Sequence, residues 1–573
     1  MNVATSRPAS AFAGDREMPR KQFQFGPLER RGLIAGWRGG QIACVAVGMV
    51  FGVGVLREMP TVAGVLAAGG CVLVSVFAAC WPIGGRTAEE WGPVVARWAL
   101  ERTSGGGEKV SRAPSAGLVR AVTASGVLAG ERPPAPPGAL ARFRILAVPV
   151  PSSTSLMGAV MDTRSQMYTA VLAVEGQALT LLTEEERQRR TGAWSDVLAG
   201  LAQERSDIYR IQWIERTVPD RADELVERLV NQAAPDAPLG AVDSYRDVAG
   251  RASSQARTHE IMVVISVRAA RRARARARAG PYAGAAAGGR ALARRWALAE
   301  GRMPARSLAE GGESLACSVL VKEAALLEQS LRGAGVPVIG ALGPRALSGA
   351  ISRAVSSDPG AVSAHRSASA PRPAGLGAGK GFAASSVPGQ GAGRQGAPAP
   401  FAAWPWPMAI DASWSCLRTD GAWHATYWIA EWPRIPVTSD FLRPLLLQSR
   451  LRSSVAVTME PISPSVAVRE VEQAKTAELA DSELRRRGGF LVSARRRREQ
   501  QVLSRREAEL TDGHAQYRFS GYITVTAGSA EALEDACHEM EQTAARSFLE
   551  IRRMFGEQEV AFTYTLPLAR GLS

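Results

Sequence analysis

The stretch with the clearest chemical potential is the glycine-rich sequence GLGAGKGF at residues 375–382. A phosphate-binding loop reads G-x-x-x-x-G-K-[ST], follows a strand and opens a helix, because its backbone N–H groups hold phosphates and its hydroxyl holds magnesium. Here Gly375 and Gly379 are one residue too close together, and Gly381 occupies the hydroxyl position. The surrounding Gly/Ala/Ser/Pro-rich tract cannot bury a core. We therefore predict a linker rather than a nucleotide site, and no ATPase activity.

Other residues capable of catalysis or metal binding are scattered along the chain. The six cysteines form no C-x-x-C pair and the five histidines no H-E-x-x-H motif, so neither a zinc site nor a disulfide framework is indicated. No carboxylate pair and no nucleophile–base arrangement has a spacing typical of a catalytic site. We predict that the protein is not an enzyme and has no catalytic, cofactor-binding or metal-binding residues.

Basic charge is the remaining chemical signal. The formal net charge is +15 over 573 residues, which suits binding to nucleic acid or to an anionic membrane. Two arginine-rich stretches, 268–280 and 485–501, supply the candidate basic patch: Arg271, Arg272, Arg274, Arg276, Arg278, Arg495, Arg496, Arg497 and Arg498. A solvated loop and helix face is the alternative, because no aromatic residues alternate with these arginines. The sequence leaves open whether they bind nucleic acid or lipid.

Two charge-free segments near the N-terminus predict a transmembrane hairpin over residues 39–85. The first reads GGQIACVAVGMVFGVGVL and the second TVAGVLAAGGCVLVSVFAACWPIGG, and about 17–25 apolar residues suffice to span a bilayer. The short turn at 57–60 makes the two segments neighbours. A signal peptide would have a single apolar region, whereas a buried hairpin in a soluble core is the open alternative.

The flanking charges predict the orientation of this hairpin. Basic residues precede the first segment and follow the second, whereas the turn has only Arg57. The positive-inside rule then places both termini in the cytoplasm. This predicts a multi-pass protein of the cell membrane with a basic cytoplasmic segment, 1–38. An amphipathic helix at 86–102 follows, and Trp81, Trp91 and Trp98 are candidate membrane-interface residues. Packing of that helix on a core is the alternative.

The rest of the chain predicts an α+β cytoplasmic body of two plait-like modules. A linker at 103–138 precedes the first module, 139–355, and a Gly/Ala/Ser/Pro-rich linker at 356–400 separates it from the second, 401–573. Strands with apolar alternation and helices follow one another in the same order in both. The charged segment 464–511 predicts an antiparallel helical hairpin. The stretch SAEALEDACHEMEQTAARSFLEIRRMFG predicts one helix, and QEVAFTYTLPL predicts the last strand.

Several stretches resemble a known family. Six features are similar to an actinobacterial family of conjugation or type IV secretion-like membrane proteins. They are the N-terminal hairpin and the stretches GGRTAEEW, YTAVLAVEG, RIQWIERTVPD, VAVTMEPISP and AFTYTLPLARGL. The body resembles the non-motor N-terminal domain of conjugative secretion ATPases. The resemblance covers most of the chain outside the linkers, and its motifs are structural rather than catalytic.

The resemblance implies a function without catalysis. In the resembling ATPases a RecA-like motor follows this domain, whereas this sequence ends at LPLARGLS. We therefore expect a membrane scaffold of a type IV secretion or conjugation-like machine that docks a separate motor ATPase beside other channel subunits. A type VII secretion-like membrane-ring subunit and a membrane-tethered nucleic-acid-binding protein are the alternatives. The sequence leaves open whether the chain forms a homo-oligomer.

Overall fold

The protein has two apolar helices followed by a mostly antiparallel sheet domain with helices, an α+β architecture. A computed structural model of the chain describes residues 39–81, 84, 86–103, 108–110, 136–151, 153, 155–176, 182–204, 206–219, 238–253, 257–268, 305–356, 405–448, 451–487 and 494–572. All statements below concern these residues. The stretch GLGAGKGF lies outside them.

The two apolar helices, α1 (Gly39–Glu58) and α2 (Val62–Cys80), form a close pair. Thr61 begins α2 as its N-cap, because its hydroxyl accepts a hydrogen bond from the Gly64 N–H. A Cβ added at Gly48 would lie 2.0 Å from Ser75 Oγ, so a glycine is needed there for the helices to approach. Both helices are long and apolar enough to cross a membrane, and little of either is buried inside the protein. The expected membrane hairpin is confirmed to that extent, which suggests membrane association.

The first half of the body begins after the neck, α3 (Ala88–Thr103), and a short strand, β1 (Glu108–Val110). Its elements are β2 (Phe143–Pro149), β3 (Leu156–Asp162), β4 (Met167–Val174), α4 (Glu184–Leu201), β5 (Ile208–Pro219), α5 (Leu239–Ser253), β6 (Arg257–Arg268), α6 (Ala305–Gly333), β7 (Val338–Ala341) and α7 (Pro344–Val355). The Thr183 hydroxyl accepts from the Glu186 N–H and thereby caps the start of α4.

The second half follows residue 404. Its elements are β8 (Ala409–Ala412), β9 (Leu417–Thr419), β10 (Ala422–Glu431), a π-helical turn (Pro444–Gln448), β11 (Ser453–Ile462), α8 (Pro464–Arg487), α9 (Ala494–Thr511), β12 (Gln516–Ala527), α10 (Ala530–Arg546), β13 (Glu550–Arg553) and α11 (Gln558–Phe562). The helices α8 and α9 contact each other side by side, with Gln500 Nε2 donating to Glu478 at 3.1 Å and a Lys475–Glu507 ion pair nearer the base. These two contacts run in opposite directions along the chain, as an antiparallel pair requires.

One continuous sheet joins the two halves. Its order is β1-β8-β9-β10-β12-β11-β5-β6-β4-β3-β2, with β13 beside β10 and β7 beside β4. The halves meet where β11 and β5 pair antiparallel, with Val457 opposite Trp213 and Thr458 opposite Gln212. Read outward from this seam, the strand order of one half repeats that of the other. The two halves therefore form one body rather than two separate sheets.

Alternation along the central strands divides the core into two layers. Ile211 and Val263 face α6 on one side of the sheet, whereas Ile214 and Val264 face α7 and the C-terminal segment on the other. Helix α10 covers the second half on the same side as α6, since Met540 packs with Val455, and Val455 lies opposite Glu215, two residues from Trp213. The sheet is thus buried on both faces along its centre.

The predicted last strand is wrong. Residues 558–562 form the short helix α11, and a segment of turns and bends then crosses the sheet face. The buried Gln212 side chain fixes this segment by donating to the Tyr564 carbonyl at 2.7 Å and accepting from the Ala569 N–H at 2.8 Å. Thr458 Oγ1 donates to the Arg570 carbonyl at 2.5 Å. The alternating apolar residues of this segment are buried beneath the sheet, which explains their strand-like pattern.

The predicted long helix over 529–556 is also shorter than expected. Helix α10 ends at Arg546, and Phe548 takes the left-handed conformation with φ of +57°. Backbone bonds from Phe548 N to Ala545 O and from Leu549 N to Ala544 O form a Schellman cap. The same two bonds end α6, where Gly335 has φ of +77°. Phe548 thus stands where the first half has glycine, and its side chain is 58% exposed.

Candidate functional site

The neck helix α3 presents two tryptophans to the body. Trp91 and Trp98 are seven residues apart and therefore lie on one face of the helix, two turns from each other. Both contact Trp414, in the turn between β8 and β9: Trp91 stacks on it at a centroid distance of 5.9 Å, and Trp98 meets it edge-on at 5.1 Å. Phe555 stacks on the same ring at 6.5 Å. We call these four rings the neck cluster.

Ion pairs frame the neck cluster. Arg86, just before α3, lies 2.9 Å from a Glu557 carboxylate oxygen, and its guanidinium sits 5.4 Å from the Trp91 ring centroid. Glu559 accepts from Lys109 at 2.6 Å and from the Ala139 N–H at 2.6 Å. Two carboxylates near α11 thus bind residues that come more than 400 positions earlier in the chain. Because these pairs are partly buried, they are screened less than surface pairs.

The backbone beneath the cluster requires glycine. Gly556 has φ of +73°, and a Cβ there would lie 2.7 Å from the Trp414 ring and 2.9 Å from Val94. Any other residue would be strained and would push the neck away from the body. The close approach of α3 therefore depends on this position as well as on the rings.

A shallow cleft beside the cluster carries charges of both signs. Arg97, Arg102 and Glu557 line it together with Ser413 of the β8–β9 turn. Arg97 pairs with Glu101 at 3.0 Å, and Arg102 lies over the Trp98 ring. Among the side chains named here none is a nucleophile beside a base. What this arrangement does is hold a helix in place.

The structure places the candidate membrane-interface residues at two locations. Trp81 follows α2, is 57% exposed and stacks on Phe77 at 5.0 Å. Trp91 and Trp98 face the body instead, which is the core-facing alternative for α3. Contact of α3 with lipid headgroups stays a prediction.

The candidate basic patch is described only in part. Arg271, Arg272, Arg274, Arg276 and Arg278 lie outside the described residues. Arg495, Arg496, Arg497 and Arg498 lie in the first turns of α9, where only the backbone is described. Within the described ranges, no group of three or more His, Cys, Asp or Glu side chains could hold a metal ion.

Sequence reasoning missed the residues that receive the neck. Nothing in the sequence indicates that Trp414, Glu557 and Glu559 contact α3 or the residues beside it. The local signal was the concentration of tryptophans in residues 402–414, AAWPWPMAIDASW, which indicates an aromatic cluster but not the element that it contacts. No protein-family model matches the chain, and no curated protein matches it either. The function is therefore argued from this geometry.

Proposed function

We propose that the protein is a non-catalytic membrane scaffold of a type IV secretion or conjugation-like machine, which holds a separate motor ATPase at the membrane. The helices α1 and α2 anchor it, with both termini in the cytoplasm. The body carries the docking surface. Exposed apolar side chains on the hairpin, such as Val50, Phe51 and Leu66 at 67–72%, support the anchor, because a soluble protein rarely exposes so large an apolar patch.

The neck cluster is the observation that carries this proposal. A flexible tether would let the body move freely relative to its anchor. Here seven residues separate α2 from α3, and α3 is fixed to the body by two ring contacts and the Arg86–Glu557 ion pair. The contacts give the body a defined position next to the hairpin. A scaffold that positions a partner at the membrane needs such a joint.

The mirrored strand order supports the proposal of two plait-like modules within the body. In each half three consecutive strands lead into the sheet, a later strand inserts beside the third, and a short strand adds to that third strand after the long helix. We propose that duplication produced this body. The second module then differs from the first in features that serve docking.

Phe548 is the difference we assign to the ATPase. A non-glycine residue in the left-handed region costs about 1–2 kcal/mol, and the first half has glycine at the corresponding cap. An exposed aromatic ring kept at that cost suits an interface, where aromatic anchors dominate the binding energy. Arg552 and Glu550 lie nearby on β13, with the guanidinium 2.6 Å from the carboxylate, and form a polar surround.

The experiment is purification of the full chain from membranes, with the recovered material assayed for a bound motor ATPase. Deleting 401–573 would remove β11 and expose the β5 edge, so point variants are the sharper test. We expect Phe548→Glu to reduce the recovered ATPase at least tenfold, whereas Tyr245→Glu, on the first half and 54% exposed, leaves recovery unchanged. The proposal fails if the unchanged chain recovers no ATPase, or if Phe548→Glu recovers as much as Tyr245→Glu.

A further inference from the structure

A fully buried arginine lies near the seam between the two halves. Arg216 on β5 is 1% exposed. Its Nη1 donates to Glu260 at 3.1 Å and to the Ala350 carbonyl at 2.8 Å, and its Nε donates to Ser454 Oγ at 3.4 Å. Among the described residues its Nη2 has no hydrogen-bond partner. A buried guanidinium N–H without a partner is costly, because it has left water and gained no acceptor.

Two further arginines approach the same point. Arg353 on α7 lies with its Nε 2.8 Å from the other Glu260 carboxylate oxygen. Arg452, just before β11, donates from Nη2 to the Arg353 carbonyl at 2.6 Å. Gly349 leaves room for this arrangement, since a Cβ there would lie 3.2 Å from Arg353 Nη1. Glu260 is therefore shared between two guanidinium groups, with a third close by.

Within the described part of the chain, positive charge exceeds negative charge at this point. The guanidinium groups of Arg216 and Arg353 share the Glu260 carboxylate, and Arg452 lies beside them. The neighbouring Glu215 belongs to the opposite face of the sheet, because successive strand residues alternate, and it contacts His259 at 3.0 Å. Burial lowers the pKa of Arg216 to about 10, and repulsion from Arg353 and Arg452 contributes in the same direction. Burial, together with Arg452, lowers the pKa of His424 to about 3, so the His424 ring is neutral near pH 7 and adds no further positive charge.

We propose that Arg216, Arg353 and Arg452 form a binding site for a small phosphate-type oxyanion, either free phosphate or a phosphate monoester. Guanidinium forks match the oxygens of such anions and bind them through paired N–H donors. The Arg353 and Glu260 side chains are each 20% exposed, so the cluster meets solvent at these two residues, and Arg216 is buried behind them. The anion accepts from the unpartnered Nη2 and supplies the missing negative charge. This site is separate from the ATPase-docking surface and does not depend on it.

The test uses the full chain in detergent or nanodiscs. Thermal unfolding is measured in 10 mM phosphate and in chloride of equal ionic strength, and phosphorus-31 NMR of phosphate measures binding directly. We expect phosphate to raise Tm by several degrees, since a ligand that binds only the folded state stabilises it, and we expect saturable line broadening. Glycerol phosphate in place of phosphate distinguishes a monoester from the free ion.

Three variants make the result specific. Arg353→Lys keeps the charge but loses the fork, so the phosphate-dependent rise in Tm should fall at least twofold. Glu260→Gln removes the competing carboxylate, so Tm in chloride should drop while the rise in phosphate at least doubles. Arg332→Ala, at an exposed position on α6, should behave like the unchanged chain. Equal Tm in phosphate and chloride with no line broadening, or an undiminished rise in Arg353→Lys, would overturn the proposal.

Discussion

Replacing Trp414 by alanine should release the neck helix from the body without unfolding the sheet. The ring takes part in three aromatic contacts, with Trp91, Trp98 and Phe555. Each such pair contributes about 0.5–1.5 kcal/mol beyond its buried area. The two contacts to α3 together with the area they bury therefore amount to about 2–3 kcal/mol for docking. The undocked state should become about 30–150 times more populated, at a factor of ten for each 1.36 kcal/mol.

Hydrogen exchange of the full chain in nanodiscs measures this change. Amides of α3 should exchange about 30–150 times faster in Trp414→Ala, while those of β10 and β12 keep their protection and the protein stays in the membrane fraction. Trp432→Ala is the matched control, because that ring follows β10 and packs on Phe441 and Phe519. Exchange in α3 that changes less than threefold in Trp414→Ala, or equally in both variants, would refute the argument that the neck cluster fixes the anchor.

Three further predictions concern other parts of the protein. Phe548→Gly should raise the free energy of unfolding by about 1 kcal/mol, and Gly335→Ala should lower it by a similar amount, because both residues take the left-handed conformation at a helix cap. Denaturant unfolding measures both values. An unchanged free energy of unfolding in Phe548→Gly would show that the Phe548 ring stabilises the fold by packing. Burial and Arg452 lower the pKa of His424 to about 3, so between about pH 6.5 and pH 3 the unfolded chain binds a proton at this ring that the folded chain does not. The free energy of unfolding should therefore fall as the pH falls through this range, by up to about 1.4 kcal/mol per pH unit. His424→Gln should reduce this pH dependence between pH 6 and 4, and an unchanged dependence would contradict the argument. Gly48→Leu should separate α1 from α2 and abolish a disulfide cross-link between cysteines introduced at 41 and 79. Gly54→Leu should retain the cross-link, because a Cβ at Gly54 would meet open space. Equal cross-linking in both variants would show that the helices do not pack this closely.

The sequence was sufficient for elements whose pattern is local. The alternation in RIQWIERTV and in EIMVVISVR predicts β5 and β6, and the charge-free runs predict α1 and α2, because burial on one or both faces selects those residues directly. The cap of α4 is a local feature of the same kind, since Thr183 and Glu186 contact each other within one turn. These elements are found in the structure where they were expected.

Elements that depend on distant partners could not be read. Residues 558–568 have the composition of a strand, but Gln212, more than 340 positions earlier, binds their backbone in another conformation. Helix α10 ends without glycine because β13 pairs with the edge of β10, and nothing near Phe548 indicates that pairing. The neck cluster and the arginine cluster could not be predicted from the sequence for the same reason, because Trp414 and Arg216 contact residues on other elements.

The neck is composed of residues made at very different times. Lys109 meets Glu559 across 450 positions and Arg86 meets Glu557 across 471. At a synthesis rate of about 5–20 residues per second, the helix α3 waits about 20–90 s on the ribosome for its partners. During that interval the apolar hairpin has already been made, whereas the contacts of Arg86 and Lys109 with Glu557 and Glu559 cannot yet form. The apolar hairpin and α3 are therefore made long before their partners, and the contacts of the neck form only after residues 557–559 have been made.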